Sequence, residues 1–408
     1  MRKLILNSMM VLSLSSFIIS CNDDDENMMM NTVERTLTIE NVVASKDFVQ
    51  SGAFFGEGSE TVDAPVVLPG QSISFKFNAG KGQKLMFATM YGASKDWFFA
   101  PENPGINLYD NSGNAITGDV SAQVKLWDNG SKTNDTGETE NNLVAMVSGV
   151  NAADLMKLML DYNAERSEFT LTITNTSGGT MNETPFSPGV WAVSNVLGGN
   201  LLNEKPLYEA GKTTNPEITA IAEGGNVEPM KAKLDNNTGI ITGLSPAIVL
   251  VYEGNTNPLF MVGQKDKGNG LKELAQTGNT EVLKQYFEEN SVNVKKVFVI
   301  GNAPIGPGQM VSVQIEAEEN QKIAVATMFG YSNDWFYANK DGISLDVNDV
   351  TSQFKLYDNG TAKDQFPGAG NSQGLFGGMP IPESKNIGEV NVSYTLPSVS
   401  NVIKVTLN

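Results

Sequence analysis

The feature that most constrains the fold of this chain is an internal repeat. Residues 84–100 match residues 322–338 at 10 of 17 positions, and both segments contain Ala-Thr-Met and Asp-Trp-Phe. Two further segments, 119–130 and 349–360, follow in the same order and at similar spacing. Unrelated segments do not keep residues, order and spacing together, so the sequence predicts a duplicated domain.

Each copy has the pattern of a series of β-strands. Residues 72–77 and 310–315 alternate between polar and apolar after a glycine-containing turn, whereas residues 85–90 and 323–329 are mostly apolar. These patterns are typical of half-buried and fully buried strands. We therefore predict a mainly β fold of tandem antiparallel β-sandwich domains. Residues 169–175 are expected to close the first copy as residues 402–408 close the second.

A weaker duplication lies between the two copies. Residues 206–211 resemble residues 258–263, and a helical pattern follows each, most clearly at 270–289. The sequence predicts a strand-turn-helix element present twice over 176–294, as a short helix-containing insertion. It is either an enlarged start of the second domain or a degenerate third domain. The first sandwich is then expected over 34–175 and the core of the second over 295–408.

The amino terminus has the pattern of a bacterial lipoprotein. Two basic residues precede an apolar run over 4–19, which is too short to cross a bilayer comfortably. The run ends in Ile-Ile-Ser before Cys21, the single cysteine of the chain, and this order resembles a lipobox. We expect a signal peptide over 1–20, lipidation at Cys21 and a tether over 21–33.

The acidic run at 22–26 gives the tether two possible roles. It resembles an export tag for the outer face of the outer membrane, and it is also what a solvated linker looks like. With the lipid as membrane attachment, we expect an outer-membrane protein exposed at the cell surface.

Composition excludes several classes of function. The chain has no histidine and a formal net charge of -18 at pH 7. Catalysis by Ser-His-Asp and zinc sites built on histidine are therefore excluded, and nucleic acid is not an expected partner because Lys and Arg supply phosphate contacts. A carboxylate-only enzyme remains formally possible. We expect a protein without enzymatic activity.

A repeated motif connects the two copies to a known family. Ser-x-Asp-Trp-Phe at 94–98 and 332–336 is followed by Leu-aromatic-Asp-x-Gly at 126–130 and 356–360. This combination resembles the spondin N-terminal domain of F-spondin and mindin. The resemblance implies an antiparallel β-sandwich that holds a calcium ion near one end and has no catalytic centre.

The same resemblance implies which residues hold calcium. The roles carry over to Asp96 and Asp128 in the first copy, and to Asp334 and Asp358 in the second. A further ligand, a Glu on an earlier strand, corresponds best to Glu316, with Glu318 as the next choice. The first copy has Asn78 at the aligned position, so its site is expected to be the weaker one.

The residues alone permit a simpler interpretation of these motifs. An Asp followed by Asn-Gly also favours a tight hairpin, and an Asp before Trp-Phe can cap a turn. The neighbouring aromatic residues are more typical of a core than of a ligand platform. These residues are Trp97, Phe98, Trp335 and Phe336.

Two functions from different classes follow from these features. The first is a cell-surface lipoprotein whose calcium-binding sandwiches act as adhesive or recognition modules. The alternative is a surface glycan-binding lipoprotein that captures polysaccharide, with Trp191 or Tyr331 stacking on sugar rings. A purely structural role in the envelope is a third possibility. The sequence does not identify the extracellular protein or glycan ligand.

Overall fold

The computed structural model describes residues 31–59 and 65–408. It is mainly β with antiparallel sheets, as the sequence predicts. The first half contains strands β1 (Thr32–Asn41), β2 (Phe48–Phe54), β3 (Ser72–Asn78), β4 (Lys84–Tyr91), β5 (Trp97–Pro101), β6 (Ile106–Asn107), β7 (Gly118–Asp119), β8 (Val124–Asp128), β9 (Ala145–Met146), β10 (Met156–Asn163), β11 (Glu168–Asn175) and β12 (Phe186–Ser194).

The second half continues with the same antiparallel pairing. Its strands are β13 (Val196–Leu197), β14 (Asn200–Leu201), β15 (Ala247–Tyr252), β16 (Val294–Ile300), β17 (Met310–Glu318), β18 (Lys322–Met328), β19 (Trp335–Asn339), β20 (Phe354–Asp358), β21 (Gly388–Glu389) and β22 (Ile403–Leu407). The helices are α1 (Ala152–Leu155), α2 (Pro216–Gly224), α3 (Glu228–Asn237), α4 (Leu271–Thr277) and α5 (Glu281–Asn290). Short 3₁₀ turns cover Ser121–Gln123, Thr351–Gln353, Gly374–Phe376 and Val399–Asn401.

The first sandwich packs a larger sheet on a smaller one. The larger sheet has the order β2-β12-β4-β5-β8-β9, with β6 beside β4, and the smaller has the order β3-β11-β10-β7. Strand β11 shows why they pack: Phe169, Leu171 and Ile173 are buried while the threonines between them are less so. Side chains alternate across a strand, so one face of each sheet supplies the core.

The second sandwich repeats this design. Its larger sheet has the order β16-β15-β18-β19-β20-β21, and its smaller sheet has the order β17-β1-β22. Strand β15 is buried along its whole length because both faces of its sheet are covered.

The helices cover the outer face of each larger sheet. Ile218 and Met230 of the pair α2 and α3 pack on Phe98 of the first sandwich. Leu274 and Leu283 of the pair α4 and α5 share a cluster with Phe336 of the second. The strand-turn-helix element predicted twice over 176–294 is present twice, but its copies belong to different sandwiches, so neither placement considered for the whole segment is right. Strand β12 with its helices belongs to the first sandwich, and β15 with its helices belongs to the second.

Strand β1 lies in the second sandwich, although the sequence assigned residues from 34 onward to the first. It pairs with β17 on one side and with β22 on the other. Its inward residues Leu37 and Ile39 are fully buried in the core of the second sandwich. The alternation of polar and apolar residues along β1 would suit the core of either sandwich. The sequence pattern alone therefore could not assign β1 to one of them.

Strand β1 is the structural counterpart of β11. Both carry Thr-Leu-Thr-Ile-x-Asn, at 36–41 and 170–175. The final Asn is buried in each, and its amide donates to two backbone carbonyls. Asn41 Nδ2 donates to Thr242 and Ile305 at 2.8 Å each, and Asn175 Nδ2 donates to Val67 at 2.8 Å and Thr184 at 2.7 Å.

Strand β22 then corresponds to β10, not to β11. The amide of Val405 donates to Thr351 Oγ1 at 2.9 Å, just as the amide of Leu158 on β10 donates to Ser121 Oγ at 2.8 Å. The expected equivalence of 169–175 with 402–408 is wrong. The first sandwich is therefore inserted, in chain order, between β1 and β15 of the second sandwich.

The lipoprotein predictions fall mostly outside the described residues. The signal peptide over 1–20, Cys21 and the tether up to residue 30 all lie there, and β1 begins at Thr32. Within the described part of the chain, no helix is long and apolar enough to cross a membrane.

Candidate metal centre

The duplicated aspartates lie at the same place in both sandwiches. Asp334 directly precedes β19, and Asp358 is the last residue of β20, where it pairs with Trp335. In the first sandwich Asp128 ends β8 and pairs with Trp97, which follows Asp96. Neighbouring antiparallel strands thus bring each pair of aspartates to one end of the larger sheet.

The second sandwich adds a third carboxylate to this pair. One oxygen from each of Asp334, Asp358 and Asp364 lies within 4.8 Å of the others. We call these residues the acidic cluster. Asp364 was not predicted from the sequence; it lies six residues after Asp358, in the loop that follows β20. An alignment of the two copies places Asp364 opposite Asn134, which lies six residues after Asp128. This alignment could have identified Asp364 as a further oxygen-bearing residue near the motif.

Asp334 is held rigidly through one of its two oxygens. Its Oδ2 accepts hydrogen bonds from the backbone amides of Thr361 at 2.7 Å and Ala362 at 2.9 Å, and from Thr361 Oγ1 at 2.9 Å. Its Oδ1 is buried and has no hydrogen-bond partner. An unpaired buried carboxylate oxygen is costly, so this atom fits a ligand that supplies positive charge.

The other two carboxylates are also oriented by single hydrogen bonds. The indole nitrogen of Trp335 donates to Asp364 Oδ1 at 2.6 Å. The amide of Gly360 donates to Asp358 Oδ1 at 2.7 Å. Each carboxylate has two oxygens that can accept several bonds, so both residues keep acceptor capacity for a further partner.

The electrostatics of the cluster disfavour three ionised groups. Burial, and next the Asp358 carboxylate, raise the pKa of Asp334 above its usual value. Burial also raises the pKa of Asp358. Burial and then Asp358 raise the pKa of Asp364 to about 6. Lys385 lies nearby, but it pairs with Glu383 at 2.7 Å, so the cluster keeps an excess of negative charge. A divalent cation would reverse this effect on all three pKa values.

The first sandwich keeps the scaffold but has one carboxylate fewer. Asp96 Oδ2 accepts from the amides of Ser131 and Lys132 at 2.8 Å each, and Asp96 Oδ1 is again buried without a partner. Asp128 Oδ2 accepts from the Trp97 indole at 3.1 Å and from Asn134 Nδ2 at 3.5 Å. Burial is the main cause that raises the pKa of Asp96. The first sandwich thus has Asn134 where the second has Asp364, whereas the sequence prediction of a weaker first site was based on Asn78.

Glu316 does not join the acidic cluster, contrary to the sequence prediction. It lies on β17 in the smaller sheet, between the buried residues Ile315 and Ala317, so its side chain points outward. Its carboxylate is 66% exposed and pairs with Lys296 at 3.0 Å. Glu318, the second choice, ends β17 beside the start of β18, whereas Asp334 follows the other end of β18. Asn78 bonds with Gln50 and likewise takes no part in the first site.

The aromatic residues of the repeated motif belong to the core. Phe98 and Phe336 are fully buried, Trp335 is buried, and Trp97 is half-buried. The core interpretation is therefore confirmed for these residues.

The two residues considered as sugar platforms are both buried. Tyr331 is buried and its hydroxyl donates to the Val196 carbonyl. Trp191 stacks on Phe75 with ring centroids 5.1 Å apart. Neither residue offers an open ring face.

A groove of about 830 Å³ lies where the two sandwiches meet. Trp191 of the first sandwich lines it, together with Phe366 and Tyr394 of the second. The rings of Phe366 and Tyr394 are 4.6 Å apart. Residues before β2 and after α3, which link the sandwiches, form another part of its wall. The groove has the size of a small-molecule site.

Comparison of the chain with models of protein families gives no match, and a search of curated proteins gives none either.

Proposed function

We propose that this chain is a non-enzymatic, lipid-anchored protein of the outer-membrane surface, whose sandwiches act as calcium-binding adhesive or recognition modules. The observation that carries the proposal is Asp334 Oδ1, a fully buried carboxylate oxygen without a partner beside two further carboxylates. Such an atom is stabilised by a proton or by a cation, and a divalent cation would offset the charge of all three carboxylates at once, whereas one proton neutralises a single group.

Calcium fits the donor set better than a softer metal does. The acidic cluster offers only carboxylate oxygens, and these are the ligands that calcium prefers. Asp334, Asp358 and Asp364 would hold the ion, with carbonyl or water oxygens completing its shell. The ion would supply positive charge, and Thr361 and Ala362 keep Asp334 in place for it. Asp96 and Asp128 would form a weaker site.

The position of β1 supports a role in recognition at the cell surface. Thr32 pairs with Glu318, at the end of the second sandwich where β17 connects to β18. Asp334 lies at the opposite end, after β18. A tether that enters at Thr32 would therefore present the acidic cluster away from the membrane, where an external partner could reach it.

Calorimetric titration of the mature chain with calcium chloride tests the proposal. We expect the tighter of two binding events to be lost in Asp334→Asn and kept in Asp235→Asn, which removes an exposed carboxylate paired with Lys231 on α3. The absence of any heat of binding in the wild-type protein would contradict it.

Membrane attachment has its own test. Cys21→Ala is expected to move the protein from the membrane fraction to the soluble fraction, because the lipid would be its attachment. An unchanged membrane fraction would contradict the lipid anchor without affecting the calcium site.

Glycan binding is the second candidate, and the groove is the observation that favours it. Trp191 lines the groove beside the half-buried Tyr394. A sugar ring could pack on the ring of Tyr394. A glycan array probed with wild type and Tyr394→Ala, each with and without chelator, separates the candidates. Binding lost in the variant would favour the groove, and binding lost only with chelator would favour calcium-dependent recognition.

A further inference from the structure

We infer that calcium at the acidic cluster strengthens the junction between the two sandwiches, through the loop that follows β20. This loop covers residues 359–373, and we call it the junction loop. The inference rests on the proposed calcium site and adds a regulatory role to it: calcium controls how firmly the inserted first sandwich is held.

One part of the junction loop is attached to the acidic cluster. Thr361 and Ala362 bond to Asp334 through their backbone amides. The amide of Gln365 donates to Asn333 Oδ1 at 3.0 Å, and Asp364 is itself a member of the cluster. The position of residues 361–365 therefore depends on the position of the carboxylates.

The rest of the junction loop is attached to the first sandwich. Lys363 Nζ forms an ion pair with Glu165, and Gln365 Nε2 donates to the Glu165 carbonyl at 3.2 Å. The amide of Asn371 donates to Ser167 Oγ at 2.9 Å. From the opposite direction, Gln83 Nε2 donates to the Gly368 carbonyl at 2.8 Å.

Apolar contacts follow the same route. Ala369 of the junction loop is fully buried in the core of the first sandwich. Phe366 packs against the cores of both sandwiches. The junction loop thus packs against both cores. Because protein cores are close-packed, a displacement of the loop at the acidic cluster also displaces its other end.

Among the described residues, no hydrogen bond or ion pair joins the corresponding loop of the first sandwich to the second sandwich. Asn129, which follows Asp128, donates through Nδ2 to Thr219 Oγ1 of α2 at 3.1 Å. Helix α2 covers the same sandwich, so this loop is held internally. The connection between an acidic cluster and the junction is therefore specific to the second sandwich.

The physical basis is the change in sign of the force between carboxylates. Without a cation, Asp358 and Asp364 repel Asp334, and this repulsion favours movement of the junction loop away from Asp334. A bound cation attracts all three groups and favours the arrangement in which the loop reaches Glu165 and Ser167. Coupling of this kind is reciprocal, so contacts at the junction must also favour calcium binding.

Two measurements test the inference on the full mature chain. Hydrogen exchange at the Asn371 amide, which bonds to Ser167, should slow by about tenfold or more when calcium is added, because the junction opens less often. Calcium affinity, from titration with calcium chloride, should fall by about fivefold or more in Glu165→Gln and in Gln83→Ala. Both residues lie in the first sandwich and neither belongs to the cluster.

The control is Glu209→Gln, which removes a half-buried carboxylate that pairs with a lysine, Lys205. Its calcium affinity should equal that of wild type. Because Glu165 is exposed, Glu165→Gln keeps the fold even if the buried Gln83 does not tolerate replacement.

Failure of the inference is distinguishable from failure of the proposed function. If calcium binds, but Asn371 exchange is unchanged and Glu165→Gln binds as tightly as Glu209→Gln, the coupling is absent while the calcium site stands. If the wild-type chain shows no calcium binding by calorimetry, both the site and the coupling are wrong.

Discussion

The acidic loops of the two sandwiches share a backbone scaffold and differ in how their carboxylates are used. In both loops the Asp before Trp-Phe accepts hydrogen bonds from two backbone amides through its Oδ2. Its Oδ1 is buried and has no hydrogen-bond partner. In the second loop the tryptophan indole donates to Asp364, whereas in the first it donates to Asp128.

One position explains this difference. Where the second loop has Asp364, the first has Asn134, whose amide lies 3.5 Å from Asp128 Oδ2. The indole and this amide both satisfy Asp128, so fewer free oxygens remain for a cation. A single change from carboxylate to amide thus separates the candidate site with three carboxylates from the candidate site with two.

The two sandwiches also differ in how their smaller sheets are completed. The first obtains its Thr-Leu-Thr-Ile-x-Asn strand from β11, which follows β10 directly in the sequence. The second obtains the equivalent strand from β1, far away in the sequence and next to the proposed tether. The second sandwich is therefore the one that depends on the amino-terminal segment.

Removal of β1 is expected to have the largest effect. A chain that starts at residue 42 lacks the strand between β17 and β22 and all of its backbone hydrogen bonds to them. It also loses the buried side chains of Leu37 and Ile39, and burial of each contributes about 1.5–3 kcal/mol to the free energy of unfolding. We expect the second sandwich to unfold and the first to remain folded, measured by mapping limited proteolysis. A chain that starts at residue 31 is the control. Equal resistance of both chains over residues 247–408 would contradict the assignment of β1.

Calcium removal is expected to have the next largest effect. Binding only to the folded state stabilises it by about 2.7 kcal/mol when free calcium is a hundredfold above its dissociation constant. Chelator should therefore lower the Tm of the wild type, and Asp334→Asn should remove most of this sensitivity. Asp96→Asn, the equivalent change in the first sandwich, should remove less. Identical melting curves in chelator and in millimolar calcium would show that these aspartates only shape turns.

Exchange of Asp364 and Asn134 between the two loops should exchange the calcium affinities of the two sites. Asp364→Asn is expected to weaken calcium binding at the second sandwich by about tenfold or more, or ~1.4 kcal/mol, because it removes one ligand charge. Asn134→Asp should strengthen binding at the first. Calorimetric titration of each variant measures the change. An unchanged affinity in Asp364→Asn would remove this residue from the site.

The smallest effect expected is on the pH dependence of stability without calcium. The pKa of Asp364 is raised to about 6 in the folded protein, and the pKa values of Asp334 and Asp358 are raised as well. The folded state therefore binds more protons than the unfolded state from about pH 7 down to the ordinary Asp value of about 4. Stability in chelator should therefore rise as the pH falls from about 7.5 to about 5.

Denaturant unfolding at each pH measures this dependence. The Asp364→Asn variant should show a flatter response, since it cannot take up the proton. With calcium bound the sign should reverse, because protons then compete with the ion. A wild-type protein whose stability in chelator falls over this range would contradict the raised pKa.

Several features were determined by the sequence itself. The repeat at 84–100 and 322–338 identified two copies of one domain, and the alternation at 72–77 identified strands of a sandwich. The repeat and the alternation are local or periodic, so residue type and spacing are enough to reveal them. The resemblance of the repeated motifs to the spondin N-terminal domain, and not their spacing, implied that Asp334 and Asp358 lie together near one end of a sandwich.

Other features were decided only by the tertiary structure. The pattern of β1 fits either core, and only its pairing with β17 and β22 assigns it to the second sandwich. Glu316 has the right charge but faces away from the cluster, whereas Asp364 was not predicted and reaches it. Strand pairing and side-chain direction depend on contacts between residues distant in the sequence, and local periodicity does not encode those contacts.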